Sequence, residues 1–342
     1  MRIATWNVNS LNARMERVEG WLRAAQPDIL LMQETKLADD AVPEMAFGML
    51  GYELVHHGEG RWNGVAIASR VGASDVVTNF GDGPVRSSAL PAAGAGGSAA
   101  GAGGSAAGAD GSAAGAGGSA AGAAAAFQEE DFDPFDEARM VSAVCGGIRV
   151  VSIYAPNGRI VGSPFYAGKL AWFERLGRWL GEAADPALPL VIGGDFNVAP
   201  TDEDVWDAAA VHGGTHVSPA EREAFGRLLA WGLTDTYRLL NPGAVARFTW
   251  WDYRAGNFQR NEGMRIDHLL ATAPVAARVV GADIDREARK GKPTPSDHAP
   301  LFIDLDEPGA PIDTGWSDGA DERFAARRAI ETARRAARAR HA

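Results

Sequence analysis

Leu188-Pro189-Leu190-Val191-Ile192-Gly193-Gly194-Asp195-Phe196-Asn197 is the stretch on which the reading of this chain turns. The mostly apolar run Leu188–Ile192 predicts a buried strand. It runs into two glycines, which let other groups approach closely, and then into an acid and an amide. In an extended stretch, residues i and i+2 share a face. Asp195 and Asn197 are therefore expected to address one phosphate, the acid as general base for a water and the amide as hydrogen-bond donor. Ser296-Asp297-His298-Ala299-Pro300 mirrors this ahead of a strand at Leu301–Leu305. A protonated imidazole there would stabilise charge on phosphoryl oxygens.

Other strand ends carry the same kinds of group. Ile3–Trp6 and Ile29–Met32 read as buried strands, with Asn7 and Glu34 just past them. Between them Met15, Val18, Leu22 and Ala25 recur at helical spacing. Asp267 sits in an alternating strand, where a lone buried acid is costly, so a partner is expected and His298 is the candidate. Glu34 offers hard carboxylate oxygens of the kind Mg²⁺ takes. Together these groups form a cluster able to hold one hard metal ion beside a phosphate, as phosphodiester cleavage requires. Singly each run is weak; their joint placement at strand ends is the signal.

Further strands are predicted at 64–69, 140–144, 149–154 and 265–270. Ala167 to Ala184 is amphipathic through Leu170, Phe173, Leu176 and Leu180, and Ser218-Pro219-Ala220-Glu221 is a capping box opening another helix. Many strands with few intervening helices predict two packed sheets with helices outside, an α/β fold.

A length of 342 residues with 46% hydrophobic content suffices for a sizeable core. The net charge of −11 argues against a protein that coats nucleic acid nonspecifically, which needs a broad positive surface. Cys145 is the one cysteine and reads as a buried small hydrophobe in a reducing compartment. No apolar run approaches a membrane span, and a cytoplasmic protein is expected. Lys occurs only at 36, 169, 290 and 292, so Arg accounts for nearly all basic residues.

From Gly94 to Ala121 the chain repeats Gly-Ala-Gly-Gly-Ser-Ala-Ala four times, with Asp110 in place of one Gly. Residues 89–126 are read as a flexible insert with no catalytic group. The acidic stretch at 129–137 follows it and reads as a solvated face or a DNA-mimicking segment. Seven Arg between 323 and 340 give an Ala/Arg-rich tail that favours a basic helix. His56-His57 reads as surface or strand edge.

These motifs resemble, in order across residues 1 to about 306, the exodeoxyribonuclease III family of AP endonucleases within the endonuclease/exonuclease/phosphatase superfamily. The matching stretches are Ile3 to Ser10, Gln33-Glu34-Thr35-Lys36, Asn63 to Ile67, Tyr154-Ala155-Pro156-Asn157-Gly158, Gly193 to Pro200, Thr249 to Arg254, Arg265-Ile266-Asp267 and Ser296 to Pro300. The Tyr154-Ala155-Pro156-Asn157 form looks like the AP endonuclease branch, since DNase I-like and sphingomyelinase-like members carry a His-bearing motif at that strand.

The resemblance implies a four-layer α/β sandwich of the DNase I type, with two packed, mostly antiparallel sheets flanked by helices. It implies a nuclease domain over 1–307, interrupted by the insert, and a C-terminal extension over 308–342. By position Glu34 would ligate Mg²⁺ or Mn²⁺ with Asn7 and Asn9 beside it, and Asp297 would support the metal region. Asp195 would activate water, Asn197 and His298 would bind the scissile phosphate, and Asp267 would orient His298. Tyr154 would contact the phosphate or leaving group with Asn157 nearby, and Trp250 would lie against an abasic gap. Arg254, Arg260 and Lys36 would meet the DNA backbone. The implied activity is that of a monomeric repair nuclease on double-stranded DNA, cutting 5′ to abasic sites and trimming 3′ ends as exonuclease and phosphatase, near the nucleoid. The alternatives are a superfamily phosphatase acting on a phosphorylated lipid or sugar, and a catalytically silent DNA-binding module.

Overall fold

The structure, a computed structural model, describes residues 1–82 and 134–316 together with Ala326 and Ile330. The insert at 89–126, the acidic residues up to 133 and the basic tail apart from Ala326 and Ile330 lie outside the described residues. Two six-stranded sheets make up the centre. One contains β1 (Arg2–Asn7), β2 (Ile29–Gln33), β3 (Glu53–His57), β4 (Val65–Ser69), β11 (Val279–Ile284) and β12 (Leu301–Leu305), in the order β11-β12-β1-β2-β4-β3. The other contains β5 (Ser74–Thr78), β6 (Met140–Cys145), β7 (Ile148–Tyr154), β8 (Leu190–Asp195), β9 (Leu233–Asp235) and β10 (Asp267–Thr272), in the order β5-β6-β7-β8-β10-β9. The helices are α1 (Leu11–Ala25), α2 (Glu44–Met49), α3 (Pro164–Ala183), α4 (Ala208–Val211), α5 (Pro219–Trp231), α6 (Thr236–Leu240), α7 (Asn257–Arg260) and α8 (Ala273–Ala276).

Each sheet holds one parallel pair, β1 with β2 and β7 with β8, and its other pairs are antiparallel. Parallel neighbours need a crossover, and the two long helices α1 and α3 supply it. Strand alternation then sorts side chains into layers. Ile3, Leu31, Ile67, Val150, Val191, Leu269 and Ile303 pack between the sheets. Ala4, Trp6, Leu30 and Met32 face outward onto Val18, Trp21 and Leu22 of α1. On the other side Val151, Ile153, Ile192 and Leu270 meet Trp172, Phe173 and Leu176 of α3 and Phe225 and Leu228 of α5. Burying each such aliphatic or aromatic side chain stabilises by roughly 1.5–3 kcal/mol. The result is the expected helix–sheet–sheet–helix sandwich, its sheets bolted by Gln33, whose Nε2 donates to Ser152 Oγ across the interface (3.0 Å).

Several local expectations change. His56 and His57 do lie on β3, the edge of their sheet, yet both are buried, so the surface reading is corrected. Cys145 is fully buried, as expected. Trp251 is a fully buried member of the inter-sheet core, unlike Trp250 beside it. The chain from 308 to 316 stays on the body: Arg2 donates to Ala310 O (2.9 Å) and Trp316 Nε1 to Ile284 O (2.7 Å). No helix among the described residues is long and apolar enough to cross a membrane.

Candidate active site

Six chain positions at one end of the sandwich build the site. Asn7, Tyr154 and Asp195 are the last residues of β1, β7 and β8, Asp267 is the first of β10, and Glu34 follows β2 directly. His298 lies three residues before β12. Strand pairing sets the spacing: Tyr154 stands opposite Asp195 across the β7–β8 pair, and Asp195 opposite Asp267 across β8–β10. Gly194 permits it, because a Cβ there would lie 1.9 Å from Ile153 O.

The side chains converge as a connected group. Asn7 Nδ2 donates to Glu34 Oε1 (2.8 Å) and to Asp195 Oδ2 (3.0 Å). His298 Nδ1 contacts Asp267 Oδ2 at 2.8 Å, and its Nε2 lies 3.8 Å from Asp195 Oδ2. The expected partner of Asp267 is therefore found. Glu34, Asp195 and His298 offer ligand atoms that all lie within 4.8 Å of one another. Lys36 Nζ sits 3.0 Å from Glu34 Oε2 and donates to Asn9 Oδ1 (2.6 Å). Asn9 Nδ2 donates to Asp297 Oδ1 (2.9 Å), and Trp250 Nε1 to Asp297 Oδ2 (3.1 Å). Asp297 thus stands one residue removed from the acid cluster, tying Asn9 to Trp250.

Asn197 reaches the site by a different backbone from the expected one. It is not extended: its φ is 53°, and its N–H donates to Asp195 Oδ1 (2.9 Å). The acid thus closes a tight turn that carries the amide back beside it. Asn197 Nδ2 donates to Ala155 O (3.0 Å) and Oδ1 accepts from Asn157 Nδ2 (3.2 Å). The amide nitrogen carries two protons and Ala155 takes one, which leaves donor capacity for an anion. Arg254 and Arg260, the latter at the end of α7, stand apart on an exposed segment, pairing with Asp252 (2.6 Å) and Glu262 (2.6 Å).

Beside Glu34 opens a cleft of about 490 Å³ lined by Lys36, Trp62, Arg139, Tyr154, Asn157 and Arg159 among others. Arg139 escaped the sequence reading. Its guanidinium lies 4.9 Å from the Tyr154 ring centre and donates to Tyr154 O (3.1 Å). Lys169 was missed too, although the spacing Phe165, Lys169, Trp172, Phe173, Leu176 places it on the apolar face of its helix.

Charge in the hydrogen-bonded cluster is unbalanced. Four carboxylates, Glu34, Asp195, Asp267 and Asp297, meet Lys36 and His298 there, while Arg139 and Arg159 line the adjoining cleft. Burial, reinforced by Asp267 and Glu34 against the opposing pull of His298, pushes Asp195 up to about 7. Burial alone would lower His298, but Asp267 and Asp195 outweigh it and raise it to about 10. Tyr154 is held well above the ordinary phenol range, first by burial and then by Glu34. An acid surplus with hard oxygen donors fits a divalent cation, and Glu34, with Asn7 beside it, is the carboxylate placed to receive one.

Residues 4–298 match the endonuclease/exonuclease/phosphatase family. The chain is 28% identical to exodeoxyribonuclease III of Haemophilus influenzae, covering 89% of this chain and all of that protein. Its structure superposes on an AP endonuclease from Archaeoglobus fulgidus with a TM-score of 0.72 at 32% identity, covering 90% of this chain and 100% of that one. The 3′ phosphatase NExo from Neisseria, solved with a product DNA hairpin, gives 0.70 at 35% identity with the same coverage. The motif order, the two-sheet sandwich and the match over most of the chain place this protein in the endonuclease/exonuclease/phosphatase family.

Proposed function

We propose that this chain is a DNA repair nuclease that depends on Mg²⁺, or Mn²⁺ in its place, and acts as a monomer on double-stranded DNA at the nucleoid. It cuts 5′ to abasic sites, leaving a 3′-hydroxyl, and trims 3′ ends as a 3′→5′ exonuclease and 3′-phosphatase. The observation that carries this reading is the single cluster in which Asp195, Asn7, Glu34, Asp267 and His298 interlock. The activities are those in the names of the relatives: exodeoxyribonuclease, AP endonuclease and 3′ phosphatase.

Each residue takes a role that its surroundings support. Glu34 and the neighbouring Asn7 would hold the cation, which when bound neutralises the phosphate and the leaving oxygen. Asp195, whose carboxyl is pushed up by burial and the neighbouring carboxylates, accepts a proton from the attacking water. The water oxygen bonds to phosphorus as the P–O3′ bond breaks. His298, charged and oriented by Asp267, sits against the phosphoryl oxygens and balances the charge that develops there. Asn197 and Asn157 donate to the same phosphate, and Tyr154 keeps its proton to donate to the phosphate or the leaving oxygen. Asn9 and Asp297 brace the metal side, and Asp297 fixes the Trp250 ring for an abasic gap. Arg254, on the exposed segment after Trp251, Arg260, at the end of α7, and Lys36 meet the DNA backbone.

The purified protein with Mg²⁺ is expected to cut a duplex holding one abasic site on its 5′ side and to remove a 3′-phosphate from a recessed end. EDTA should stop both. Two intact substrates would reject the reading, and turnover of a phosphoinositide or sugar phosphate instead would replace it with the phosphatase alternative.

A further inference from the structure

Beneath the two asparagines of the site lies a charged pair that this reading has not used. Lys169, in the second turn of α3, and Glu221, at the third position of α5, are both fully buried, with Nζ and Oε1 2.5 Å apart. Burial opposes the charge on Lys169 and Glu221 supports it. A buried pair of this kind contributes little net stability, because desolvation offsets the attraction. What distinguishes this one is where its remaining hydrogen bonds go.

Lys169 Nζ donates to Asn197 O (2.7 Å) and to Asn157 O (3.3 Å). These are the backbone carbonyls of the two residues whose side-chain amides meet each other in the site. A second donor reaches each carbonyl: His216 Nδ1 lies 2.6 Å from Asn197 O, and Thr215 Oγ1 donates to Asn157 O (3.0 Å). Glu221 gathers the same segment from below. Its Oε1 accepts from His216 N (2.9 Å) and lies 2.8 Å from Thr215 Oγ1, whose single proton it shares with Asn157 O, and its Oε2 accepts from Ser218 N (3.1 Å) and Ser218 Oγ (2.6 Å). The capping-box glutamate of α5 is therefore also the counter-ion of the lysine that holds both loops.

The left-handed backbone of Asn197 is one that Asn tolerates, and the hydrogen bond from Lys169 fixes it among the conformations open to that residue. We infer that the Lys169–Glu221 pair is a positioning device: it clamps the backbones of Asn157 and Asn197 so that their amides are already set for the phosphate. This rests on the proposed nuclease reading, which assigns those amides to the phosphate. Lys169 and Glu221 touch no reacting atom. Their effect is in the fixed geometry, where a misplacement of about 1 Å can cost on the order of a hundredfold in rate.

The test uses the full chain on a 3′-phosphate duplex with Mg²⁺. Wild-type activity comes first, since its absence would sink the nuclease reading and leave the clamp without an object. Given that activity, Lys169→Met is expected to lower kcat by about 10–100-fold with KM within about threefold. The double change Lys169→Met with Glu221→Gln removes the stranded carboxylate and should recover much of the lost melting temperature while kcat stays low. Arg2→Met breaks the buried Arg2–Asp304 pair (2.7 Å) at the far end of β1 and serves as the control. It should lose melting temperature with kcat within about twofold, because no site backbone hangs on it. Recovery of kcat together with stability in the double variant, or an equal kcat loss in Arg2→Met, would overturn the clamp.

Discussion

Two buried charged networks grow from neighbouring residues of one segment and end in opposite states. Arg265 is fully buried, and its guanidinium meets Asp204 (2.7 Å) and Asp235 (2.8 Å), while Arg238 adds a second cation to Asp204 (2.5 Å). Burial alone would raise Asp204, but Arg265 and Arg238 outweigh it and hold it below the usual carboxylate range; Asp235 is held down likewise. Two residues along, Asp267 joins a cluster in which carboxylates outnumber cations, and Asp195 is pushed up to about 7. Both residues are fully buried, Asp267 as the first residue of β10 and Arg265 two residues ahead of it. The leftover charge separates scaffold from site: one network is closed by its own cations, and the other keeps a surplus of carboxylates.

The comparison breaks most visibly at Asp195. Asp195→Asn removes a surplus charge and the proposed base, so kcat on abasic or 3′-phosphate duplex should fall by about three to four orders of magnitude. The melting temperature should hold or rise, and DNA binding should persist. A variant that kept turnover would remove Asp195 from the chemistry.

Asp204→Asn is the converse. It leaves Arg265 and Arg238 with Asp235 as the remaining carboxylate, one buried cation in excess, and the cost should be about 3–5 kcal/mol of unfolding free energy, read from urea midpoints. Activity per folded molecule should stay near wild type. If Asp204→Asn proved as mild as a surface change, the closed network would not be a scaffold.

His57 sharpens the contrast by offering a buried titratable group that lies outside either network. Burial, and then the neighbouring His56, lower it to about 4. Its folded value lies below the unfolded one of about 6.5, so its contribution is complete above pH 6.5 and is lost as pH falls toward 4. Between pH 7 and pH 5 this should cost the wild type about 2 kcal/mol that His57→Leu does not lose. Parallel pH profiles of stability in the two proteins would assign the acid sensitivity elsewhere.

How far the sequence foretold all this follows the same division. The open cluster was legible, because phosphodiester chemistry demands particular side chains and Asn7, Glu34, Asp195, Asp267 and His298 stand at the ends of apolar runs. The central strands were legible for the same reason: β1, β2, β7, β8 and β12 are buried on both faces and read as continuous hydrophobic stretches. The edge strands β3 and β11 and the outer strands β5 and β9 were not, since Glu53, Ser74, Asp75, Thr234 and Asp283 dilute their pattern. Asn197 was found by identity but with the wrong backbone, because a turn closed by Asp195 Oδ1 is a property of coordinates rather than of spacing. Lys169 was passed over because a lysine on a helix is ordinarily solvated. Its burial depends on α5, fifty residues later, bringing Glu221 beneath it. The Arg265 network was equally hidden, since its partners Asp204 and Asp235 come from separate loops and strands.

The smallest expected effect is also the one that bears most directly on the leftover charge. If the acid surplus around Glu34 and Asp195 is what a cation completes, Mg²⁺ should stabilise the protein without any DNA present. A ligand at ten times its dissociation constant adds about 1.4 kcal/mol to the folded state, a shift of a few degrees in melting temperature for a chain of this size. Glu34→Gln removes one of the two carboxylates that Asn7 bridges, so the Mg²⁺ shift should vanish while the apo melting temperature changes little. Asp204→Asn, though far less stable, should keep the shift in full, because its network never lacked a cation. A Mg²⁺ response that disappeared with Asp204 and survived the loss of Glu34 would reverse the assignment of scaffold and site.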